Sequence, residues 1–257
     1  MIAVQVAHTR GYGDSMADRA QLNVYLEIVE KNNYYSKGGR LGFYLKYLFE
    51  GVELKGKDVL DVGGGDGLFC FYAKLMGARR VVNMEPEFDG STKKIRQRFY
   101  ELKDDLNKKL ELDVEFSSQT LQTYSSEPNQ FDVILLHDSI NHVDEEACIS
   151  LATSLDSQNT YLGHFALLQH LIKPKGRLIV CDCSNKNFFH KLKLVNPFAP
   201  QIEWEKHQGP DVWARFLSKA GFDLDKVQWT SPNRLGLLGR ALIGNFIGAY
   251  LTTSLFR

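Results

Sequence analysis

The sequence lacks a net charge, a long apolar run and a cysteine pattern. Its 257 residues include 31 lysines and arginines and 31 aspartates and glutamates, so no overall charge favours nucleic acid or an acidic membrane. The apolar stretch 235–250 is interrupted by arginine, asparagine and glycines, and it leaves no clean span of ~18 apolar residues. No basic segment precedes an apolar core at the amino end, so we predict no signal peptide. A small molecule is the expected partner, with no nucleic acid, no transmembrane segment and the oligomeric state left open.

Cysteine is too sparse for a disulfide framework. The four cysteines form no C-x-x-C pair and have no metal-ligand spacing; they are Cys70, Cys148, Cys181 and Cys183. All four fall in predicted helix or strand, which indicates buried free thiols in a reducing compartment, and we expect a cytoplasmic protein. The apolar content of 44% is ample for a core, and the length fits one large α/β domain with additions.

Residues 57–91 carry the clearest pattern that is present. The apolar run 59–62 is too short for a helix and predicts a buried parallel strand. A tight turn follows, whose glycines let a ligand lie against the main chain; they are Gly63, Gly64, Gly65 and Gly67. A helix is predicted over 68–76, and a second strand over 81–84 ends in Glu85. Strand, glycine turn, helix, strand and acid are typical of a nucleotide site at the carboxyl edge of a parallel sheet.

The spacing of the glycines separates two kinds of nucleotide site. A dinucleotide fingerprint, G-x-G-x-x-G, would place its third glycine where Leu68 stands. The form Asp61-x-Gly63-x-Gly65-x-Gly67 resembles the first motif of the class I S-adenosylmethionine-dependent methyltransferases. The resemblance implies that Asp61 and the glycine turn hold the aminocarboxypropyl end of the cofactor and that Glu85 takes the ribose hydroxyls. A dinucleotide enzyme and a non-catalytic nucleotide-binding fold remain the alternatives.

The resemblance extends over 57–183 and implies further cofactor contacts. The sequence Leu-Ile-Lys-Pro-Lys-Gly-Arg-Leu at 171–178 is similar to the family's turn before the fifth strand. Pro86 follows the ribose acid, and His137 is placed to cover the adenine or methionine part of the cofactor. Where the family often has an acid for the adenine amino group, this chain has Ser117, Ser118 and Gln119, and Gln119 or a serine hydroxyl is the expected acceptor.

The resemblance and the periodicity together predict an α/β fold: a doubly wound, mostly parallel seven-stranded sheet with helices on both faces and an N-terminal helical lid. We expect a cap over 1–56 and a Rossmann-like domain over 57–257, with insertions at about 143–160 and 186–210. The later strands are expected at 113–116, 131–136, 177–182, 222–230 and 250–256, the last antiparallel. The other helices are expected at 15–31, 41–48, 92–109, 144–155, 161–172 and 211–220.

Three residues at the joint of the two N-terminal helices are candidates for a lid over the cofactor: Tyr34, Tyr35 and Arg40. The alternative is that the tyrosines simply pack the helix pair. His207, in the aromatic segment before 211, is placed with the substrate side. His207 and His164 are also weaker candidates for a general base, because nothing nearby in sequence fixes the direction of either ring. The glycine-rich apolar piece before the last strand either packs against the sheet, lines an acceptor pocket or contacts a membrane surface peripherally.

The residues after the fourth strand are the candidates for chemistry. His142 is the first choice for a general base, because a histidine pKa near ~6.5 suits proton removal close to neutrality. Asp138 would orient it, or His137 would replace it, and each histidine has a structural role as its alternative. Asp138, Asp182 and Asn185 fall where catechol-type methyltransferases hold magnesium, but Cys183 stands in place of the second residue of that subfamily's Asp-Asn pair, so no metal is predicted.

These inferences predict a methyltransferase that converts S-adenosylmethionine to S-adenosylhomocysteine. The acceptor is expected to be a small molecule or a glycan or lipid intermediate, methylated at oxygen. The alternatives are a protein that binds S-adenosylmethionine without catalysis and, less favoured because of Leu68, a nicotinamide-dependent oxidoreductase.

Overall fold

The computed structural model describes residues 16–35, 38–87, 94–229, 245–252 and 255–257. The helices are α1 (Met16–Lys31), α2 (Gly38–Leu48), α3 (Leu68–Leu75), α4 (Ile95–Asn107), α5 (Glu145–Ser150), α6 (Leu155–Leu171), α7 (Phe188–Lys191), α8 (Pro210–Lys219) and α9 (Phe246–Tyr250), with a 3₁₀ turn at Trp204–Lys206. The strands are β1 (Asp58–Val62), β2 (Arg80–Met84), β3 (Glu115–Ser117), β4 (Phe131–His137), β5 (Ile172–Cys183) and β6 (Leu255–Phe256).

The strands form one mostly parallel sheet with the order β3-β2-β1-β4-β5-β6. The first five strands run parallel, and β6 is antiparallel to β5, with Asp182 opposite Phe256. The chain builds outward from β1 to β3 and then crosses to the other side of β1 for β4. Such a reversal opens a crevice beyond the carboxyl ends of the strands, where ligands bind in open α/β sheets.

Helices cover both faces of the sheet, as predicted. The first four helices and one face of the strands share a core that contains Leu45, Phe71 and Phe99. Helices α5, α6 and α8 share the second core, which contains Phe165 and Trp213, with the other face. Strand β1 is buried along its whole length and β4 along most of its length, because helices cover both of their faces.

The two N-terminal helices belong to the first core. Tyr25 is fully buried, and its hydroxyl donates to the carbonyl of Leu68 at 2.6 Å. Leu41 and Leu45 of α2 are also fully buried. The lid, the boundary at residue 56 and the two insertions remain predictions.

The predicted strand over 222–230 is wrong within the described residues. Only an isolated bridge forms there, between Trp229 and Phe256, and Gln228 exchanges two backbone hydrogen bonds with Arg257. Leu224 and Val227 remain 62% and 38% exposed, whereas Phe222 and Trp229 at the two ends of the segment pack against the second core. Residue 230 and the apolar residues 235–244 lie outside the described residues.

The last strand is antiparallel, as predicted, but its extent is different. Residues 246–250 form α9, and within the described residues only Leu255 and Phe256 pair with β5. The described part of the sheet therefore has six strands instead of the predicted seven.

Two helix boundaries differ from prediction by five residues or more, and one of them is set by a cap that periodicity does not reveal. Asp144 accepts a hydrogen bond from the Ala147 N–H and starts α5, which ends at Ser150 rather than near residue 155. Ser154 accepts from the Ser157 N–H and starts α6 six residues before the predicted position of 161. Within the described ranges, no helix combines the length and the apolar character needed to cross a membrane.

Candidate cofactor and active site

The glycine turn between β1 and α3 forms a surface free of side chains at the crevice. A Cβ atom at Gly64 would lie 2.1 Å from Asn83 Oδ1 and 2.8 Å from Asp61 Oδ2, so only glycine fits there. Gly67 has a φ of +82°, and its Cβ would lie 2.6 Å from the Phe99 ring. Glycine is therefore required at position 64 because neighbouring side chains leave no room for a Cβ atom. At position 67 it is required both for lack of room and for the positive φ.

Two buried oxygens beneath this turn have no partner among the described residues. They are Asp61 Oδ1 in β1 and Asn83 Oδ1 in β2. Burial raises the pKa of Asp61 from its ordinary 3.8 to about 7; the Cys70 thiol, which donates to it at 3.5 Å, lowers the pKa, and the nearby charge of Glu85 raises it. Unpaired buried acceptors are costly, and they are expected where a ligand supplies the missing donors. The residues therefore fit a cofactor that carries an ammonium group or a cation.

Glu85 lies directly after β2 and is 7% exposed. Its Oε2 accepts from the Gly65 N–H at 2.9 Å, while the Asn83 amide donates to the Gly65 carbonyl at 2.9 Å. Burial raises the pKa of Glu85, and the Gly65 hydrogen bond opposes that effect. Both contacts fix the glycine turn against the end of β2, beside the half-buried Pro86.

The end of β3 lies next to Glu85. The Glu85 N–H donates to the Ser117 carbonyl at 2.8 Å, so the two strand ends are joined. Ser118 and Gln119 follow and are exposed. The Gln119 side-chain amide donates to the Thr123 carbonyl at 3.1 Å.

The residues proposed for a lid are half-buried. The guanidinium of Arg98 lies 5.1 Å from the centre of the Tyr34 ring and donates to Asp66, in the glycine turn, at 2.9 Å. Burial raises the pKa of Tyr34 to about 12, and the Asp105 charge adds to this. Tyr34 and Tyr35 both pack against the first core, and Arg40 lies in α2. The packing role of the tyrosines is thus visible, and their lid role remains a prediction.

His137, at the end of β4, has partners at both ring nitrogens. Its Nε2 shares a hydrogen bond of 2.6 Å with the Tyr44 hydroxyl, and its Nδ1 lies 3.3 Å from Asp138 Oδ2. Its ring lies against Phe69 of α3, with 4.4 Å between the ring centres. Tyr44 also contacts the Cys181 thiol at 3.1 Å. The imidazole is therefore held beside the start of α3, next to the glycine turn.

His142 lies on the loop after β4, and its side chain is 55% exposed. Its Nδ1 is 2.6 Å from Glu145 Oε1, and the Asn141 amide nitrogen lies 3.5 Å from its Nε2. Asp138 lies at positive φ and is exposed, and it pairs with His137 rather than with His142. Whether His142, His137 or Asp138 takes part in chemistry remains a prediction.

A third histidine reaches this edge of the sheet from a distant part of the chain. His207 Nδ1 lies 2.9 Å from Asp182 Oδ1, and Asp182 is completely buried near the end of β5. Burial lowers the pKa of His207, but the hydrogen bond and charge of Asp182 outweigh it, so the pKa is raised. Sequence reasoning gave Asp182 no histidine partner, because 25 residues separate the two and no spacing pattern joins them.

Among the described residues, neither a metal-binding group nor the cavity beside β5 belongs to this arrangement. Within the described ranges, no group of three or more histidine, cysteine or acidic side chains is arranged to hold a metal ion. A cavity of about 580 Å³ lies between β5, α8 and the segment 222–227, two strands away from the glycine turn. Neither feature involves the buried unpaired oxygens beneath Gly64.

Comparison with known proteins identifies the family. A family model described as "Methyltransferase domain" matches residues 53–221. The chain is 26% identical over 190 residues to a protein of Neisseria meningitidis serogroup C, "Ubiquinone biosynthesis O-methyltransferase", covering 70% of this chain and 69% of that protein. An S-adenosylmethionine-dependent methyltransferase from Mesorhizobium loti shares the fold, with a TM-score of 0.52 and 15% identity over 77% of this chain and 88% of its own. A second, from Aquifex aeolicus, has a TM-score of 0.50 and 16% identity over 74% of this chain and 92% of its own. The chain belongs to the methyltransferase domain family, with the class I Rossmann-like fold, and S-adenosylmethionine is its cofactor.

Proposed function

We propose that the protein transfers a methyl group from S-adenosylmethionine to an oxygen atom of a small molecule or of a glycan or lipid intermediate. The observation that carries the choice of oxygen is the presence of carboxylate-paired histidines after β4 and at the end of β5, along the same edge of the sheet as the glycine turn. A hydroxyl acceptor must lose a proton, and a positioned histidine is the side chain that suits this task near neutral pH.

The cofactor residues have complementary roles in this proposal. Asp61 would pair with the ammonium group, and the glycine turn with the free N–H groups of α3 would receive the carboxylate. Glu85, beside Pro86, would accept from the ribose hydroxyls, and Ser118 and Gln119 would face the adenine. His137, held by Tyr44 and Phe69, would cover the methionine part of the cofactor.

Bound S-adenosylmethionine supplies a methyl group on a positively charged sulfur, which the acceptor oxygen displaces in line. The chain's own contribution is to bind, orient and exclude water, because charge is lost at sulfur and a dry, positioned site favours that change. Tyr34, Tyr35 and Arg40 would close this site over the cofactor, with Tyr34 connected to the turn through Arg98 and Asp66.

The acceptor class rests on two supports. The Neisseria relative is named for an O-methyltransferase of ubiquinone biosynthesis, which favours a small molecule methylated at oxygen. The equal numbers of basic and acidic residues give no reason to invoke nucleic acid.

The four cysteines are free and buried, which supports the reducing cytoplasm as the compartment.

A lipid intermediate is favoured within this class by an exposed apolar face that α7 and α9 share. The two helices meet through the Phe188 and Tyr250 rings, and the Asn196 amide donates to the Thr252 carbonyl at 2.7 Å. Around them, six apolar side chains are about half or more exposed: Leu192, Leu194, Val195, Phe198, Ile247 and Leu251. Lys191 and Lys193 lie among them, and residues 183–202 contain no acid. This face suits peripheral contact with an anionic bilayer.

The membrane contact is tested with vesicles that contain phosphatidylglycerol. We expect the wild type to sediment with them and the double variant Val195→Glu, Ile247→Glu to remain in solution. Leu155→Glu, at an exposed leucine of α6, is the matched control and should bind like the wild type. Equal binding of all three proteins would remove the membrane from the proposal.

The catalytic proposal is tested with methyl-labelled S-adenosylmethionine and a small-molecule and lipid extract of the source cells. We expect one labelled product whose methyl group is on oxygen. A methyl on nitrogen or carbon would refute the choice of atom. Binding of the cofactor without any labelled product would favour the non-catalytic alternative.

A further inference from the structure

The pair Asp182–His207 lies at the end of β5, on the far side of β4 from the glycine turn. Asp138 connects the pair to the cofactor side: its N–H donates to the Cys181 carbonyl at 2.8 Å, one residue before Asp182. The next residue, Ser139, approaches the glycine turn so closely that a Cβ at Gly63 would lie 2.6 Å from its own Cβ. The glycine turn, the end of β4 and the end of β5 with His207 are therefore consecutive along one edge of the sheet.

The hydrogen bond to Asp182 fixes which nitrogen of His207 can act as a base. Burial raises the pKa of Asp182, and the hydrogen bond from His207 opposes that effect. In its ionised form the carboxylate only accepts hydrogen bonds, so Nδ1 then carries the proton and Nε2 of the neutral ring has a free lone pair. Among the described residues, the hydrogen bond of the His207 ring is the one from Nδ1 to Asp182 Oδ1, at 2.9 Å. Asp182 Oδ1 also accepts from the Cys183 N–H at 2.7 Å, which fixes the carboxylate itself.

The other two histidines at this edge lack this combination. Both nitrogens of His137 have partners, Tyr44 and Asp138. The His142 Nε2 faces the Asn141 amide, and its side chain is 55% exposed, against 12% for His207. A base that is shielded from water and oriented by a buried carboxylate is the arrangement that best supports proton removal.

We propose that His207 is the general base of methyl transfer and that Asp182 is the residue that positions it. The inference rests on the proposed transfer to oxygen. The acceptor O–H bond breaks and its proton goes to His207 Nε2, while an oxygen electron pair forms the new bond to the methyl carbon. The carbon–sulfur bond breaks, and its electron pair remains on sulfur, which becomes neutral.

The surroundings of His207 set the direction of the pH dependence. The charged groups that act on it are Asp182 in β5, Asp138 after β4 and Glu205 in the 3₁₀ turn, all of which raise its pKa against the effect of burial. On the side of α5, Cys148 donates to the Lys206 carbonyl at 3.2 Å, and Lys206 pairs with Glu145 at 2.9 Å. Because only neutral His207 accepts a proton, the rate rises with pH and levels off above its raised pKa.

Two measurements on the whole protein test the assignment. In the first, NMR follows the histidine ring signals against pH with S-adenosylhomocysteine present. We expect one signal with a raised pKa to vanish in His207→Gln and to titrate at lower pH in Asp182→Asn. In the second, transfer of labelled methyl groups from S-adenosylmethionine to the cell extract is measured, with cofactor affinity from calorimetry. His207→Gln should lose at least about 100-fold in rate and keep its affinity for the cofactor.

Further variants separate the possible outcomes. Asp182→Asn should move the acid limb of the rate profile to lower pH, which a merely structural pair would not do. His170→Gln, at the opposite edge of the sheet, is the matched control and should be unchanged. A His207→Gln variant as fast as the wild type, or a loss confined to His142→Gln, overturns the inference while transfer to oxygen stands. If the wild type itself labels no oxygen, the proposed function fails and this inference fails with it.

Discussion

Asp61 is expected to reduce the stability of the ligand-free protein, and Asp61→Asn should remove this cost. The pKa of Asp61 is raised from 3.8 to about 7, chiefly by burial. A shift of roughly three units corresponds to about 4 kcal/mol, at 1.36 kcal/mol per unit. Because the native state keeps the proton that the unfolded state releases, stability falls as the pH rises from 3.8 to 7, and the full cost is present above pH 7.

The difference in stability between Asp61→Asn and the wild type depends on pH, and this dependence isolates the cost of burying the Asp61 carboxylate. Relative to the wild type, the stability of Asp61→Asn should increase by about 2 to 3 kcal/mol between pH 5 and pH 8, whatever constant cost the buried amide adds. Urea unfolding monitored by tryptophan fluorescence measures the difference, because Trp204 and Trp213 are buried. Asp104→Asn, on the exposed side of α4, is the matched control for the loss of one carboxyl group.

The same substitution should weaken cofactor binding. A hydrogen bond to a charged group contributes about 1.5–3 kcal/mol, so we expect the Kd for S-adenosylmethionine to rise by about 10- to 100-fold. If the stability difference between Asp61→Asn and the wild type is the same at pH 5 and pH 8, the argument that burial raises the pKa of Asp61 in the ligand-free protein is refuted. An unchanged Kd would refute its role in binding.

Three further substitutions test the rest of the site. Glu85→Gln should raise the Kd for S-adenosylmethionine about tenfold or more in calorimetry, since the amide loses the charge that favours the ribose hydroxyls, and an unchanged Kd would contradict this role. Gly67→Ala should lower the free energy of unfolding by at least about 2 kcal/mol, because of its positive φ and the contact with Phe99, whereas the control Gly163→Ala, with open space around it in α6, should be stabilising. Tyr44→Phe should cost about 1–2 kcal/mol in urea unfolding by leaving His137 without its 2.6 Å partner, against little change for the exposed Tyr100→Phe, and equal effects would contradict the hydrogen-bond account.

The cofactor half of the site was predictable because its signals are local. The glycines, Asp61 and Glu85 lie within one strand–turn–helix–strand unit, where sequence spacing fixes geometry. The start of the helix predicted from 144 was right, with Asp144 as its cap, whereas the cap Ser154 was also readable but the start of α6 was placed at 161 instead of 155.

The rest of the candidate site depends on contacts between residues far apart in sequence. Tyr44 and His137 form a hydrogen bond although 93 residues separate them, and Asp182 and His207 do so across 25 residues. No sequence motif predicts either pair. The strand predicted at 222–230 had the right alternation of side chains, but a strand also needs a partner long enough to pair with, and the described part of β6 has only two residues. Contacts made in the folded protein therefore determine the structure of segments for which the local sequence pattern is not informative.

The most direct measurement is the crystal structure of the complex with S-adenosylhomocysteine. The account predicts the ligand at the carboxyl ends of β1 and β2, with its ammonium group beside Asp61, its carboxylate at the glycine turn and its ribose beside Glu85. A ligand bound elsewhere, such as in the cavity between β5 and α8, or one that leaves the Asp61 and Asn83 oxygens unpaired, would contradict it.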